Sequence, residues 1–175
     1  MAEKVAVFID KQYVEKSVLN FKGVGFPICW RSFVDAIVRG RRLLRAYFYD
    51  APLNPKRDPD AAKAQQRLHD SLRFMPYFDV RLGRLTYSDP PRQKGVDLLL
   101  AVDMLKLAMR DAYDTAVLVS GDDDFADIVR EVQTHGKHVE LVHFSNCGAK
   151  LKTTADVRMR LTSEQVEELR YKPDK

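Results

Sequence analysis

Short strand-like runs alternate with longer helical patterns along most of this chain, and this alternation is the strongest constraint on its fold. The runs are rich in β-branched and aromatic residues. They predict five strands, at Lys4–Asp10, Arg42–Asp50, Asp79–Tyr87, Thr115–Val119 and His138–His143. Strands that are separated by helices pair in parallel, because a parallel pair needs a crossover connection. The sequence therefore predicts an α/β fold, a three-layer doubly wound sandwich with a mainly parallel five-stranded sheet.

The segments between the predicted strands carry helical signals. They predict helices over 31–39, 61–74, 96–109 and 125–134, and a terminal helix over 161–170. Asp58 and Pro59 are start signals for the second of these helices, and Thr162 or Ser163 opens the last. The segment Val96–Met109 is nearly all apolar. We therefore expect it to be buried on most of its circumference.

Length and composition indicate a single globular domain. The chain has 175 residues, of which 45% are hydrophobic and 31% charged, as in ordinary soluble proteins. We expect one domain over residues 1–161, followed by a C-terminal helix and tail over 162–175. Only five apolar residues, Val5–Ile9, precede Asp10. This run is too short for a secretory or membrane-spanning segment, so we expect a cytoplasmic protein without membrane partners.

The segment Val117–Phe125 joins an apolar run to a Ser-Gly turn and then to three consecutive carboxylates, Asp122, Asp123 and Asp124. Two like charges about 4 Å apart repel by roughly 1 kcal/mol in water and roughly 4 kcal/mol at an effective dielectric constant of 20. A bound divalent cation relieves such repulsion, and hard cations take oxygen ligands. The segment therefore predicts a metal-dependent site.

Four aspartates form the candidate cluster: Asp10, Asp97, Asp122 and Asp124. Ligands of doubly wound sheets sit outside the carboxyl ends of the strands, where Asp10 and Asp122 are expected. Together the four could bind one or two Mg²⁺ or Mn²⁺ ions, which position phosphate and activate a water molecule. Alternatively, Asp97 and Asp122 are ordinary helix N-caps. We expect Asp123 to point outward.

Two further polar residues leave alternatives open. Asp103 lies inside the apolar helix, and we interpret it as a satisfied core acid or a buried salt-bridge partner. The alternative is that it supports the cluster indirectly, by contacting residues that hold the four aspartates. Ser120 could hold a carboxylate or a phosphate, or could serve only the turn. We count it among the candidate substrate-binding residues.

The net charge of +4 is modest, but basic residues recur in several segments. They include Arg39, Arg41, Arg42, Arg45, Lys56, Arg57, Arg92, Lys94, Lys150 and Lys152. A basic rim around an acidic, metal-loaded centre would suit an enzyme that handles a polyanion. The alternative is an ordinary solvated surface.

Several other classes of site lack the residues they need. The chain contains no G-x-x-x-x-G-K-[ST] phosphate-binding loop and no G-x-S-x-G nucleophile turn, and Gly23-Val24-Gly25 is not a dinucleotide-binding fingerprint. A haloacid-dehalogenase-type phosphatase would need a second aspartate two residues after Asp10, where Gln12 stands.

Several segments resemble the NYN domain, in particular its LabA-like group within the PIN-like nuclease superfamily. They are Val7–Asp10, Arg45–Asp50, Lys94–Asp97 with Ala101–Leu105, Tyr113–Asp122 continuing through Asp124-Phe125, and Gly136-Lys137 with Leu151 and Ala155-Asp156. The resemblance implies a metal-dependent ribonuclease, an endoribonuclease that cleaves single-stranded RNA. It also implies that Asp10, Asp97, Asp122 and Asp124 are catalytic and hold Mg²⁺ or Mn²⁺. The candidate substrate-binding residues are Lys11, Arg92, Lys94 and Ser120.

The chain departs from the pattern of this family at three positions. Lys11 and Tyr13 stand where the family commonly has Gly and Asn, and Asp127 replaces a usual Pro. Lys11 adds a positive charge near the expected cation site, where it could weaken metal binding or grip phosphate. The alternative function is therefore a catalytically weak or inactive NYN-fold module that binds RNA or protein. The sequence leaves the oligomeric state open, a homo-oligomer included.

Overall fold

A computed structural model of the chain describes residues 2–23, 25–86 and 92–172, with the side chains of residues 85, 86 and 92–94 outside the description. Its strands are β1 (Lys4–Asp10), β2 (Arg42–Asp50), β3 (Phe78–Leu82), β4 (Arg84–Thr86), β5 (Arg92–Lys94), β6 (Thr115–Val119), β7 (His138–His143) and β8 (Val157–Arg160). Its helices are α1 (Lys11–Lys22), α2 (Trp30–Val38), α3 (Pro59–Phe74), α4 (Val96–Met109), α5 (Ala126–Thr134), α6 (Ala149–Thr154) and α7 (Ser163–Glu168).

Six of the strands form one sheet in the order β3-β2-β1-β6-β7-β8, and each neighbouring pair is parallel. The predicted α/β class with a parallel, helix-flanked sheet is confirmed, but the sheet has six strands rather than five. The additional strand is β8, a short run in which Val157 and Met159 alternate with arginines. So few apolar residues give a weak strand signal in the sequence.

The predicted third strand over 79–87 is wrong in its extent, and its predicted end at Tyr87 lies outside the described residues. The observed strand β3 ends at Leu82, and the chain then turns at Gly83, whose N–H donates to the Asp50 carbonyl at 2.8 Å. The following residues form β4, which pairs antiparallel with β5 in a separate two-stranded sheet. This small sheet leads the chain into α4.

The sheet separates two apolar cores, which makes the molecule three layers deep. Along β1, Val5, Val7 and Ile9 contact the layer that contains α1, α2, α3 and α7. Ala6 and Phe8 face the layer that contains α4, α5 and α6. This alternation follows from the two-residue period of a strand, and burial on both faces explains why β1 is a continuous apolar run.

Helix α4 contradicts the expectation of burial around most of its circumference. Leu98 is 68% exposed, Val102 49% and Met109 65%, whereas Leu100 and Met104 are fully buried. The reason is its place in an outer layer, where a helix turns only one face toward the sheet.

The C-terminal helix α7 is attached to the first core layer. Thr162 caps it through a reciprocal capping box with Gln165, which decides between the two predicted starting residues. Val166 and Leu169 are buried in the core, and the Leu169 carbonyl accepts from the Cys29 N–H at 2.8 Å. Within the described ranges, none of the helices is both long and apolar enough to cross a bilayer.

Candidate functional site

Three polar residues meet at the carboxyl edge of the sheet. Asp10 ends β1, Asp50 ends β2 and Ser120 directly follows β6. These strands are parallel neighbours in the order β2-β1-β6, so their carboxyl ends lie side by side. In doubly wound sheets this edge is where ligands bind.

Asp10 is held in place by two hydrogen bonds. The Tyr13 N–H donates to Oδ1 at 3.1 Å, and the Ser120 hydroxyl donates to Oδ2 at 3.4 Å. Burial, together with repulsion from Asp97 and Asp122, raises the pKa of Asp10 to about 6 against the opposing effect of these two bonds. Asp10 therefore lies within electrostatic reach of carboxylates from two other elements.

Asp97 lies in the first turn of α4, directly after the turn that Gly95 makes with φ +83°. Desolvation of its side chain and the charges of Asp122 and Asp124 raise the pKa of Asp97. The structure thus brings all four predicted aspartates into one electrostatically coupled group.

The turn after β6 fixes the carboxylate of Asp122. Its side chain accepts from the Asp124 N–H at 3.0 Å and caps the 3₁₀ turn Asp123–Phe125, which is anchored by the buried Phe125. Asp122 is therefore an N-cap, the alternative role expected for it. This role does not remove Asp122 from the cluster, because both Asp122 and Asp124 remain exposed and interact with Asp97.

Ser120 is fully buried. Its hydroxyl donates to Asp10 and accepts from the Asp122 N–H at 3.3 Å. The first bond holds a carboxylate and the second serves the turn, so both of these expected roles of Ser120 are present. A direct contact with substrate phosphate would require this hydroxyl to leave its buried position.

Asp123 does not point outward, and that expectation is wrong. Its Oδ1 accepts from the Leu151 N–H at 2.8 Å in α6. Gly148 lies directly against the Asp123 carboxylate and leaves no room there for a Cβ atom. Asp123 therefore links the turn to α6.

Asp50 is the centre of a second polar network, which the sequence did not reveal. Its Oδ2 accepts from Gln65 Nε2 at 2.9 Å and contacts His69 Nε2 at 2.8 Å, while its Oδ1 accepts from the Ala51 N–H at 2.8 Å. Burial would raise the pKa of Asp50, but hydrogen bonds from His69 and Lys11 and the Lys11 charge hold it below its ordinary value. Gln65 and His69 are four residues apart on α3, and this spacing was the one signal available in the sequence.

The residues that replace the family's usual Gly and Asn both turn inward. Lys11 is only 7% exposed, and its ammonium group lies 3.1 Å from Asp50 Oδ2 and 3.0 Å from Glu15 Oε2. The Tyr13 hydroxyl accepts from the Phe144 N–H at 2.9 Å, and its ring packs against Phe144. A phosphate contact by Lys11 would require it to break two ion pairs. Arg92 and Lys94, the other predicted basic contacts, have side chains outside the described part.

Asp103 lies apart from the coupled group. The Tyr49 hydroxyl donates to Asp103 Oδ2 at 3.1 Å, and Arg81 Nε lies 3.8 Å from the same oxygen. Asp103 is thus satisfied by partners, as expected, but it lies outside the core and its ion pair is partly exposed rather than buried. Its partners belong to β2 and β3 rather than to the cluster.

The aspartates offer an oxygen-only donor set to a hard cation. Among the residues described, no three His, Cys, Asp or Glu side chains stand close enough to form a ready-made metal cage. Mg²⁺ does not need one, because it keeps several waters and binds through one or two carboxylates plus substrate phosphates. The mutual repulsion at Asp10 and Asp97 is what such an ion would relieve. The residues present therefore fit Mg²⁺ or Mn²⁺.

The predicted basic rim is divided between opposite ends of the sheet. Arg42 is the first residue of β2, at its amino end, and Arg41 directly precedes it. The Arg41 guanidinium donates two hydrogen bonds of 2.8 Å to the Glu140 carboxylate. Lys56 and Arg57 follow β2 and lie after its carboxyl end, on the side of the aspartates. These basic residues therefore do not form one continuous rim around the aspartates.

Comparisons with known proteins agree with this architecture. Residues 4–162 match the NYN domain family. A crystal structure of a protein of unknown function from Vibrio parahaemolyticus is similar, with a TM-score of 0.69 and 24% identity over 92% of this chain and 94% of that chain. This likeness concerns the fold alone.

A curated relative, the uncharacterized protein y4oD of Sinorhizobium fredii, is 36% identical over 64 residues, or 37% of this chain. The matched segment spans 30% of the length of that relative. The similarity is therefore restricted to a part of each protein.

Proposed function

Because this chain belongs to the NYN domain family of the PIN-like nuclease superfamily, we propose that it is a metal-dependent endoribonuclease of the LabA-like group. Its substrate is single-stranded RNA. The catalytic domain occupies residues 1–161, with the segment 162–175 as a C-terminal helix and tail, and the protein acts in the cytoplasm. The single observation that supports this proposal is the placement of Asp10 at the carboxyl edge of the sheet, within reach of the charges of Asp97 and Asp122, while Asp124 acts on Asp97 in turn.

In this proposal the aspartates bind the metal ion, and neighbouring polar groups orient their carboxylates. Ser120 and the Tyr13 N–H fix the orientation of the Asp10 carboxylate, and the Asp124 N–H fixes that of Asp122. Asp97 brings a third carboxylate from α4. When bound to these oxygens, Mg²⁺ or Mn²⁺ supplies an activated water and a Lewis acid for the phosphodiester.

Basic side chains near the same edge hold the RNA backbone in this proposal. Arg92 and Lys94 precede Asp97 in sequence, and Lys56 and Arg57 follow β2. Cationic side chains neutralise phosphates without reading base identity. We therefore expect RNAs of different base sequence to be cleaved, provided that their backbone reaches the aspartates.

A cleavage assay on a labelled single-stranded RNA tests the proposal. Purified protein is incubated with Mn²⁺ or Mg²⁺ and compared with the Asp122→Asn variant. Asparagine still caps a helical turn, so the local structure is retained while one anionic ligand is removed. We expect a loss of about 100-fold or more in the cleavage rate, the scale of losing a metal ligand's contribution.

Asp127→Asn is the matched control. Asp127 is an exposed aspartate close by in sequence that pairs with Lys150 and Arg130 rather than with the coupled group. We expect this variant to cleave at the wild-type rate. Cleavage by Asp122→Asn at that same rate would contradict the proposed role of the cluster.

A second candidate function is an RNA- or protein-binding module without turnover. The observation that favours it is the inward direction of both replacement residues, Lys11 and Tyr13, whose polar groups are taken by internal partners. RNA binding with no product in Mn²⁺, Mg²⁺ or other divalent ions would select this function over the nuclease.

A further inference from the structure

The Lys11 ammonium group is an internal cation that sits beside the proposed metal site. Its side chain comes from the residue directly after Asp10, yet it leaves the pocket and lies between the carboxylates of Asp50 and Glu15. The side chain of Asp50 is 3% exposed and that of Lys11 is 9% exposed. This pair is thus largely shielded from water, where opposite charges attract most strongly.

Asp50 shares a small cavity with two members of the aspartate cluster. The cavity has a volume of about 60 Å³, and Asp10, Asp50 and Asp97 all line it. Three acidic residues from β1, β2 and α4 thus line one space that could hold only one or two water molecules. Of these three, Asp50 contacts a lysine ammonium group and, through the same oxygen, Gln65 and His69.

We propose that Lys11 is a tethered counter-ion which keeps Asp50 out of metal coordination and limits this site to a single divalent ion. The inference rests on the proposed function, because it assumes that the aspartate cluster binds a metal. Asp50 Oδ2 already receives three donors, from Lys11, Gln65 and His69. A metal ion beside it would have to expel the ammonium group or lie against its positive charge.

The position of Lys11 in the sequence supports this role. Glycine is common at this position in the NYN family. It has no side chain, so it would leave Asp50 without the ammonium group. The carboxylate would then be an additional anionic oxygen donor at the cavity that Asp10 and Asp97 line. Lys11 is a positioning and selectivity residue in this scheme, since it touches neither substrate nor metal.

Manganese binding measures the effect directly. The number of Mn²⁺ ions per chain is determined by isothermal titration calorimetry and by electron paramagnetic resonance of free Mn²⁺. We expect one ion for the wild type and for Lys11→Arg, which keeps the charge. We expect two for Lys11→Met, which removes the charge at similar length, and one again for the Lys11→Met/Asp50→Asn double variant.

Thermal unfolding provides a second readout that does not depend on activity. Removal of the ammonium group leaves the buried Asp50 carboxylate without its lysine counter-charge, although Gln65, His69 and the Ala51 N–H still contact it. This loss should lower the melting temperature of Lys11→Met. Mn²⁺ should then raise that melting temperature by more than it raises the wild-type value, because the second ion binds only the folded state. Lys11→Gly should behave in the same way.

The outcomes separate this inference from the proposed function. Two ions on the wild type, or one ion on Lys11→Met, would overturn the role of Lys11 and leave the metal-dependent nuclease intact. The role of Lys11 is also overturned, again without harm to the nuclease, if Mn²⁺ stabilises neither Lys11→Met nor Lys11→Gly more than it stabilises the wild type. A wild type that binds no Mn²⁺ at all would overturn both.

Discussion

Ser120 Oγ lies 3.4 Å from Asp10 Oδ2 and so joins the ends of two neighbouring strands. The same hydroxyl accepts from the Asp122 N–H at 3.3 Å, which connects Asp10 to the turn that carries Asp122 and Asp124. One buried side chain therefore sets the relative placement of the acids on β1 and after β6. The cluster depends on the sheet rather than on any single motif.

The raised pKa of Asp10 predicts a pH dependence of stability in the metal-free protein. The pKa is about 6 in the folded chain against an ordinary value of 3.8. The folded state binds more protons between these values, so the stability contributed by Asp10 is fully present below about pH 4 and is lost as pH rises through 6. The full shift corresponds to at most about 3 kcal/mol in the free energy of unfolding.

Urea unfolding in EDTA, at several pH values from about 4 to 8, checks this expectation. The Asp10→Asn variant has no titrating group at this position, so its unfolding free energy should lack the decline that the wild type shows. At about pH 8 the variant should be the more stable of the two, since it buries no charge there. Parallel pH profiles for the two proteins would contradict the assignment to Asp10.

The division of basic residues between the two ends of the sheet predicts which of them bind RNA. Arg57 follows β2 on the side of the aspartates, whereas Arg42 begins the same strand at the opposite end. Arg57→Ala should weaken binding to single-stranded RNA and reduce the slope of log K against log salt by about 0.7 for one lost phosphate contact. Arg42→Ala should leave both unchanged.

Fluorescence anisotropy over a range of salt concentrations measures these slopes. It is carried out with the Asp122→Asn background to prevent cleavage during the titration. Equal losses for Arg42→Ala and Arg57→Ala would show that RNA is held by general surface charge instead of by the carboxyl edge.

The fold class was predictable because its signal is local. Each central strand is a short apolar run, and two of the runs end on an acid. Helix α1 was missed because it begins directly after Asp10, whose side chain caps it, and leaves no loop to mark the change. Strand β8 was missed because it lies at the sheet edge, with arginines at alternate positions.

The site was predictable only as far as residue type and strand position reveal it. Asp10 and Asp122 could be proposed as neighbours because parallel strands place their carboxyl ends together. Asp97 and Asp124 were added from their places at the start of α4 and in the turn after β6 and from the family resemblance. The Asp50 network could not, since it depends on side chains 15 and 19 residues further along the chain. The ion-pair partners of Lys11 could not be predicted either, because the sequence does not show which of several carboxylates will lie next to a lysine.

The two faces of α4 predict a contrast in stability between neighbouring leucines. Leu100 is fully buried in the second core, whereas Leu98 is 68% exposed. Leu100→Ala should lower the free energy of unfolding by about 2–5 kcal/mol, the range for large-to-small changes in a core. Leu98→Ala should change it by no more than about 0.5 kcal/mol. Urea unfolding of both variants distinguishes this arrangement from a helix that is buried all round, for which the two losses would be similar.

The contact between Gly121 and Tyr13 predicts a coupled pair of substitutions beside the aspartates. A Cβ atom at Gly121 would collide with the Tyr13 ring and with the Asn146 carbonyl. Gly121→Ala should therefore lower the free energy of unfolding by about 1–3 kcal/mol, the usual range for overpacking. It should also reduce Mn²⁺ affinity, because Gly121 separates Ser120 from Asp122.

A double-mutant cycle with Tyr13→Ala isolates this contact. Tyr13→Ala alone removes the acceptor of the Phe144 N–H and a ring packed on Phe144, so it is destabilising by itself. In its background, the alanine at position 121 meets only the Asn146 carbonyl, so the double variant should lose less stability than the sum of the single losses. Strict additivity would mean that the ring of Tyr13 yields freely to the new methyl group. The turn between Ser120 and Asp122 would then be held by the backbone around Asn146 instead of by Tyr13, and the replacement of the family's asparagine would have no part in shaping the site.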